Sequence, residues 1–169
     1  MPVGNAGNIT AYWMGYKEWF EKEKITSKPK MMGFQATGAD PIVRGKPVED
    51  PKTIATAIRI GNPASWKKAE AARDESGGVI DHVTDDEILE AYKMMASLEG
   101  VFCEPASGAG VAGLKKYVAK KKIDLKEGKV VVCVITGHGL KDPERAISVM
   151  PRPLSIEPNV NEILKHLEF

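Results

Sequence analysis

The sequence feature that most constrains the fold is an almost uninterrupted apolar run at residues 129–136, which reads KVVVCVIT. A strand with one face in water alternates apolar and polar residues, whereas a strand inside a parallel sheet is apolar along its whole length. The run therefore predicts a central parallel strand that is buried on both faces. Other parallel strands must lie beside such a strand, and helices must connect them.

The rest of the chain alternates between strand and helix patterns. Further strands are predicted at residues 30–36, 79–83 and 101–103. Helices are predicted at residues 10–24, 63–75, 84–100, 108–122 and 158–167. This alternation predicts the α/β class, with a parallel sheet and helices on both of its faces. In such folds, ligands bind beyond the carboxyl ends of the strands.

Two of the predicted helices have distinctive local patterns. Thr84 followed by Glu87 predicts a capping box at the start of the helix at residues 84–100. Aromatic residues recur at helical spacing in the helix at residues 10–24 and are expected to face the core; they are Tyr12, Trp13, Tyr16, Trp19 and Phe20.

Composition excludes several classes of function. The 169 residues suffice for one domain or two small lobes, with residues 37–60 as the candidate crossover between lobes. Because 24 basic residues face 23 acidic ones, general binding to nucleic acid or to membranes is not expected. Cys103 and Cys133 do not form a disulfide framework, which favours the cytoplasm. We expect no membrane span, no signal peptide and no metal site.

A glycine- and asparagine-rich loop precedes the first helix and consists of Gly4, Asn5, Ala6, Gly7 and Asn8. Glycine permits positive φ and close approach of an anion. Asn5 and Asn8 tolerate left-handed φ and are candidate caps of the following helix. Backbone N–H groups at a helix start bind anions, so the loop is a candidate phosphate site. The alternative is a plain glycine-rich turn; no strand pattern precedes the loop, and it matches neither a P-loop nor a dinucleotide fingerprint.

Two further motifs follow predicted strands, at residues 104–108 and 136–139. Thr136 is a candidate ligand contact, or else a strand-end threonine that bonds to backbone. Pro105 and Ser107 fit a helix N-terminus, and capping is the favoured interpretation for Ser107. His138 is either a proton donor or a solvated loop residue.

Four stretches of the chain carry a family resemblance, at residues 2–11, 57–66, 102–107 and 135–143. They include the strings GNAGN, IGNP, CEPAS and TGHG, in that order. With these strings, nearly the whole chain resembles the carboxyl-terminal portion of the threonine synthase family. These are pyridoxal-phosphate enzymes of fold type II, the tryptophan-synthase β-like fold.

The resemblance implies the conversion of O-phospho-L-homoserine and water into L-threonine and phosphate with pyridoxal phosphate as cofactor. It implies that Gly4, Asn5, Ala6, Gly7 and Asn8 hold the cofactor phosphate, with Asn8 also a candidate contact of the substrate phosphate. It implies that Thr136 faces the pyridine nitrogen and leaves it largely unprotonated. It also implies a homodimer. Roles for Arg59, Glu104, Ser107 and His138 stay open.

The chain departs from the family in one respect. The family attaches its cofactor through a Schiff-base lysine near the start of the fold, followed by a Ser/Asn-rich loop, and neither precedes Gly4 here. Lys17, Lys67 and Lys115 fall at surface positions of predicted helices. We therefore expect no catalytic residue in this chain, which would be a fragment or a short reading frame, inactive by itself. The alternative is a non-catalytic domain that binds a phosphate ligand or assembles with another chain.

Overall fold

A computed structural model of the protein describes residues 1–125 and 128–167. Within these ranges two strands are formed, β1 at Met32–Ala36 and β2 at Val79–Val83. The longer helices are α1 at Gly7–Glu21, α3 at Trp66–Ser76, α4 at Asp85–Glu99 and α5 at Pro105–Ala119. Shorter helices are α2 at Pro41–Arg44, α6 at Pro143–Val149 and α7 at Val160–His166. Single 3₁₀ turns lie at Thr56–Ile58 and Gly139–Lys141.

The sheet is parallel, as the sequence predicts, with Met32 opposite Val79 and Ala36 opposite Val83. The candidate crossover at residues 37–60 lies in the connection between these two strands. On its other edge, β1 receives residues 1–3: Val3 N donates to Phe34 O, and Phe34 N donates to Met1 O, both at 2.9 Å. This short extended stretch was not predicted, because three residues are too few to form a pattern.

Side chains alternate between two cores, one on each face of the sheet. On one face, Phe34 and Val83 pack with residues of α4 and α5, and the Phe34 ring meets the Tyr117 ring edge-on at 5.6 Å. On the other face, Ile80 packs with residues of α1 and α3, including Trp13 and Ala69. Helices therefore cover both faces, which confirms the predicted α/β class.

Helix α4 begins as predicted. Thr84 N donates to Glu87 Oε2 at 2.7 Å, and Glu87 N donates to Thr84 Oγ1 at 3.2 Å, which completes the capping box. The helix ends at Gly100, which adopts a left-handed φ of 65°.

Other helix boundaries differ from the predicted ones for local reasons. Helix α5 begins at Pro105 rather than at residue 108, because a proline suits the first helical position, where no N–H partner is needed. Helix α3 begins at Trp66 rather than at Pro63, because Ser65 N donates to Asn5 O at 3.1 Å and holds the preceding residues in a turn. Helix α7 covers the centre of the predicted segment at residues 158–167.

The predicted central strand at residues 129–136 does not form. Val130 is 87% exposed and Val132 is 74% exposed, and the segment is irregular. A strand requires a neighbouring strand for its backbone hydrogen bonds, and within the described ranges none lies beside this segment. At residues 101–103, the predicted strand is likewise reduced to a single bridge between Cys103 and His138. The expected larger parallel sheet is therefore two-stranded in the part of the chain described.

Most of the aromatic residues of α1 do not lie in the core. Trp13 is buried and its Nε1 donates to Glu75 Oε2 at 2.7 Å, whereas Tyr16 is half-buried. Tyr12, Trp19 and Phe20 are exposed. The helical spacing was interpreted correctly, but only the side of α1 that carries Ile9 and Trp13 packs on α3 and the sheet, so most of the other aromatic residues stay exposed.

Two glycines provide a test of the packing between β1 and β2. A Cβ at Gly78 would lie 1.9 Å from Met31 O, whereas a Cβ at Gly15 in α1 has no neighbour within 4 Å. We expect Gly78→Ala to lower the free energy of unfolding by about 1–3 kcal/mol, and Gly15→Ala to raise it by up to about 1 kcal/mol. Urea denaturation followed by circular dichroism measures both; equal stabilities would contradict the packing described.

Tyr117 is expected to ionise at high pH. Burial, and then the hydrogen bond that its hydroxyl donates to Asp81 Oδ2 at 2.8 Å, raise the pKa of Tyr117 from 10.0 to about 12. The neutral phenol is favoured in the folded state, so this stabilisation is complete below pH 10 and is lost as the pH rises through about 12.

Absorbance titration of tyrosinate measures this shift. The difference in tyrosinate absorbance between the unmodified protein and Tyr117→Phe should titrate with a pKa of about 12. Tyr12→Phe, at an exposed position of α1, is the matched substitution. If this absorbance difference titrates with the ordinary pKa of 10.0, the Tyr117 hydroxyl is not held as described.

Candidate functional site

The loop at residues 4–8 turns sharply between the extended residues 1–3 and α1. Ala6 makes the turn with a left-handed φ of 62° and is the N-cap residue of α1. Gly4 is buried, and a Cβ there would lie 3.0 Å from both Ala57 O and Ile58 Cα. Glycine at position 4 thus serves close packing against the 3₁₀ turn at Thr56–Ile58, rather than a positive φ.

Asn5 does not cap α1, contrary to one of the expectations. Its Oδ1 accepts a hydrogen bond from Ala64 N at 3.3 Å, and its backbone O accepts one from Ser65 N at 3.1 Å. Asn5 therefore joins the loop to the residues that follow the IGNP string. The two sequence motifs are held together by this one residue.

The first turn of α1 is open to a ligand. Ala6 has no side-chain oxygen, so the N–H groups at the helix start lack the usual side-chain cap. Gly7 and Asn8 are exposed, and a Cβ at Gly7 would meet nothing within 4 Å. Donors that point out of a helix N-terminus into open space are suited to an anion. The geometry of residues 4–8 fits a phosphate group.

A second polar cluster lies at the N-terminus of α5. Thr136 Oγ1 donates to Glu104 Oε1 at 2.9 Å and lies 3.1 Å from Ser107 Oγ. Ser107 Oγ also accepts from Thr136 N at 2.9 Å. Lys141 Nζ lies 3.0 Å from Glu104 Oε2. Ser107 is therefore not a helix cap, contrary to the interpretation that the sequence favours, and Thr136 bonds to side chains rather than to backbone groups alone.

Glycines on either side of His138 allow this cluster to form. A Cβ at Gly137 would lie 2.3 Å from Glu104 Cδ, and a Cβ at Gly139 would lie 2.3 Å from the Phe102 ring. The backbones are joined as well, since Glu104 N donates to Gly137 O at 2.8 Å. The Gly-His-Gly spacing thus lets residues 136–139 lie directly against the start of α5.

His138 and Arg59 have no part in these clusters in the contacts described. His138 Nδ1 accepts from Leu140 N at 3.2 Å and caps the 3₁₀ turn, and its ring meets Phe102 edge-on at 5.3 Å. Arg59 is exposed. Within the described part of the chain, neither position has a proton-transfer partner that would support a catalytic role.

The three predicted motifs are brought together to different degrees. Residues 104–108 and 136–139 are in direct contact, as described. The loop at residues 4–8 is linked to them through the 3₁₀ turn at Thr56–Ile58: Gly4 packs on this turn, and Thr56 Oγ1 donates to Asp142 Oδ2 at 3.3 Å. This chain of contacts links the three motifs, which the sequence predicts to lie beyond the carboxyl ends of the strands.

Sequence reasoning missed the partners of two buried carboxylates, Glu104 and Asp40. The first is Glu104 with Lys141, where no spacing pattern points from one residue to the other. The second is buried Asp40, whose Oδ2 lies 2.7 Å from His82 Nδ1 and whose Oδ1 accepts from Arg44 Nε. His82 has no distinctive sequence context, and only the strand register brings it near the residues that follow β1.

The described residues, 1–125 and 128–167, contain neither a metal-binding cluster nor a membrane span. No group of three or more His, Cys, Asp or Glu residues there could hold a metal ion. None of the helices there is long and apolar enough to cross a membrane.

Solved structures share this fold. A fungal L-serine ammonia-lyase from Rhizomucor miehei superposes with a TM-score of 0.66 and 23% identity, over 88% of this chain and 49% of that chain. The processed form of threonine deaminase isoform 2 from Solanum lycopersicum superposes with a TM-score of 0.64 and 18% identity, over 88% of this chain and 40% of that chain. These likenesses show the fold, which is the predicted fold type II.

Curated relatives are considerably closer in sequence. Threonine synthase from Halalkalibacterium halodurans is 56% identical over 99% of this chain and 47% of its own length. Threonine synthase from Synechocystis is 52% identical over 100% of this chain and 44% of its own length. Threonine synthase from Methanocaldococcus jannaschii is 51% identical over 99% of this chain and 44% of its own length. The chain thus spans about half the length of the curated relatives it matches.

The family match covers most of the chain and includes both polar clusters up to Gly137. Residues 1–137 match the family described as "Pyridoxal-phosphate dependent enzyme". This range contains the loop at residues 4–8, the start of α5 and Thr136. The chain therefore belongs to the pyridoxal-phosphate dependent enzyme family.

Proposed function

We propose that this chain is the carboxyl-terminal portion of a threonine synthase, which converts O-phospho-L-homoserine and water into L-threonine and phosphate. The observation that carries the proposal is the 56% identity to a relative of that name over 99% of the chain. The open first turn of α1 supports it, because both the cofactor and this substrate carry phosphate groups. A purely non-catalytic binding domain is not favoured by these relatives.

Pyridoxal phosphate, when bound, supplies an electron sink for reactions at the substrate carbons. In our proposal, the N–H groups of residues 4–8 bind its phosphate, and Asn8, exposed at the same turn, is a candidate contact of the substrate phosphate. Thr136 would contact the ring nitrogen and would help to hold the ring. Burial of Ser107 and Glu104 beneath Thr136 gives that position a rigid support.

The Schiff-base lysine is proposed to come from outside the described motifs. A catalytic lysine needs a lowered pKa, which requires burial or a neighbouring cation. Lys17 pairs with Glu75 and Lys115 pairs with Glu90 at partly exposed positions, and Lys67 is 90% exposed. These three lysines do not fit the role, and we propose that the lysine belongs to the part of the relatives that this chain does not match.

The exposed apolar segment at residues 129–136 supports the same proposal. Val130 and Val132 expose surface that a folded enzyme would cover, because burying a valine side chain stabilises by about 1.5–3 kcal/mol. We propose that strands of the missing half pair with this segment, and that residues 37–60 cross between the two lobes. A cytoplasmic homodimer that binds neither nucleic acid nor membrane completes the proposal.

Substitution of Gly7 tests the phosphate site. A valine at this position fits the chain itself, since its Cβ meets nothing within 4 Å, but its branched side chain would occupy the space in front of the N–H groups. We expect Gly7→Val to weaken retention of pyridoxal phosphate by the complete enzyme at least about tenfold, the loss expected of one charge-assisted hydrogen bond.

Asn5→Ala is the matched comparison for this test. It removes the 3.3 Å contact with Ala64 N beside the loop and leaves the space in front of Gly7 unobstructed. Equilibrium dialysis of both variants measures the effect. Unchanged retention in a folded Gly7→Val protein would refute phosphate binding at this turn.

Complementation tests the proposed activity. The 169-residue chain alone should form no threonine from O-phospho-L-homoserine, because proximity and proton transfer by a positioned lysine are missing. Addition of the unmatched amino-terminal part of the Halalkalibacterium halodurans enzyme should restore threonine formation. The isolated amino-terminal part is the control. Turnover by the chain alone, with cofactor that resists dialysis, would show that one of its own lysines serves instead.

A further inference from the structure

Residues 45–55 connect α2 to the 3₁₀ turn at Thr56–Ile58 without a helix or strand of their own. Such a segment keeps one conformation only where side-chain bonds or packing offset the conformational entropy that it loses. The turn that follows supports the loop at residues 4–8, because Gly4 packs directly on it. The contacts that hold residues 53–55 therefore bear on the proposed phosphate site.

Asp85, at the first position of α4, supplies these contacts. Its Oδ1 accepts from Thr53 Oγ1 at 2.5 Å, and its Oδ2 accepts from Ile54 N at 3.1 Å. Thr53 Oγ1 in turn accepts from Ala55 N at 3.0 Å. One carboxylate thus fixes three consecutive residues, either directly or through Thr53. Hydrogen bonds to a carboxylate are roughly twice as strong as those between neutral groups.

Helix α4 does not need Asp85 for its own N-terminal cap. Thr84 and Glu87 already complete the capping box. Asp85 is half-buried, and both of its carboxylate oxygens bond to residues outside the helix. The helix itself is held in the core by Ile88 and Ala91, which are both fully buried. Asp85 is therefore a rigid support for the segment that precedes the 3₁₀ turn.

This support reaches the loop at residues 4–8 through backbone contacts. Ile58 N donates to Ala55 O at 3.0 Å, so the 3₁₀ turn closes directly on the last of the three fixed residues. A Cβ at Gly4 would lie 3.0 Å from both Ala57 O and Ile58 Cα. Buried backbone segments that approach so closely cannot shift independently, so a displaced turn displaces the loop.

We propose that Asp85 is a positioning residue for the cofactor phosphate. It fixes residues 53–55, and through the 3₁₀ turn at Thr56–Ile58 it holds the N–H groups of residues 4–8 in place. The inference rests on the proposed function, in which this loop binds the phosphate of pyridoxal phosphate. Asp85 acts through the loop and not by contact with the cofactor, so its effect falls on the phosphate and not on the ring.

Comparison of pyridoxal phosphate with pyridoxal, which lacks the phosphate, tests this role in the complete enzyme. Asp85→Ala should weaken binding of pyridoxal phosphate by roughly tenfold, the loss expected of one charge-assisted hydrogen bond. Binding of pyridoxal should be nearly unchanged, since the loop contacts only the phosphate in our proposal. Equilibrium dialysis against each compound measures the two affinities.

Three further variants separate positioning from loss of charge. Asp86→Ala removes an equal charge at the next, exposed position of α4 and should leave both affinities unchanged. Asp85→Asn keeps an oxygen acceptor for Ile54 N and should recover most of the affinity for pyridoxal phosphate. Thr53→Val removes the hydroxyl that joins Asp85 to Ala55 N and should weaken binding like Asp85→Ala. Because Thr53→Val leaves the start of α4 intact, it carries the test where Asp85→Ala does not fold.

Hydrogen exchange followed by mass spectrometry measures the coupling between the turn and the loop. In Asp85→Ala, peptides that cover residues 53–58 and residues 4–8 should both exchange faster than in Asp86→Ala. Faster exchange at residues 53–58 alone would show that the turn does not hold the loop, and it would overturn the inference.

The binding outcomes separate this inference from the proposed function. Equal losses of pyridoxal phosphate and pyridoxal in Asp85→Ala would show a general structural role and would overturn the inference. Unchanged binding of both compounds in a variant that retains its circular dichroism spectrum would do the same. The proposed function stands in either case if the unmodified enzyme prefers pyridoxal phosphate and forms threonine. If the unmodified enzyme binds both compounds equally, the proposed phosphate site and the inference fall together.

Discussion

The close packing of α5 against the sheet is the constraint on which the polar cluster depends. A Cβ at Gly113 would lie 2.3 Å from the Phe34 ring, and one at Gly108 would lie 2.6 Å from Ile88 O. Only a helix with small residues on this face can approach β1 and α4 so closely. The approach fixes the N-terminus of α5 and with it both Glu104 and Ser107, so apolar packing positions the polar groups around Thr136.

The phosphate loop depends on a different kind of support. Backbone hydrogen bonds join residues 1–3 to β1, and the loop then turns at Ala6 into α1. Asn5 and Gly4 fasten it to residues 57–65, which lie in the connection between β1 and β2. The loop and the cluster at α5 are therefore held by different contacts, and the 3₁₀ turn at Thr56–Ile58 joins them.

Local signals in the sequence predicted the features that local physics determines. The capping box at Thr84, the position of β2 and the turn at residues 4–8 each depend on neighbouring residues, and each lies where expected. The pairs Lys141–Glu104 and His82–Asp40 depend on tertiary contacts, for which a single sequence has no signal. Their members are separated by 37 positions in the first pair and by 42 positions in the second. The prediction for the apolar run at residues 129–136 was wrong. An apolar run indicates a segment that is suited to a buried strand, but it does not indicate whether a partner strand is present to accept and donate the backbone hydrogen bonds.

That unpaired segment connects folding to the chemistry of the site. Thr136 is its last residue, and the Thr136 backbone N–H donates to Ser107 Oγ, while the Gly137 carbonyl accepts from Glu104 N. Pairing of residues 129–135 with further strands would bury Val130 and Val132 and would restrict the backbone that leads into Thr136. The direction of the Thr136 hydroxyl is set by Glu104, but its position is set by the segment before it. Completing the sheet would therefore also order Thr136, the residue that contacts the cofactor in our proposal. Folding of the core and formation of the site are coupled in this way.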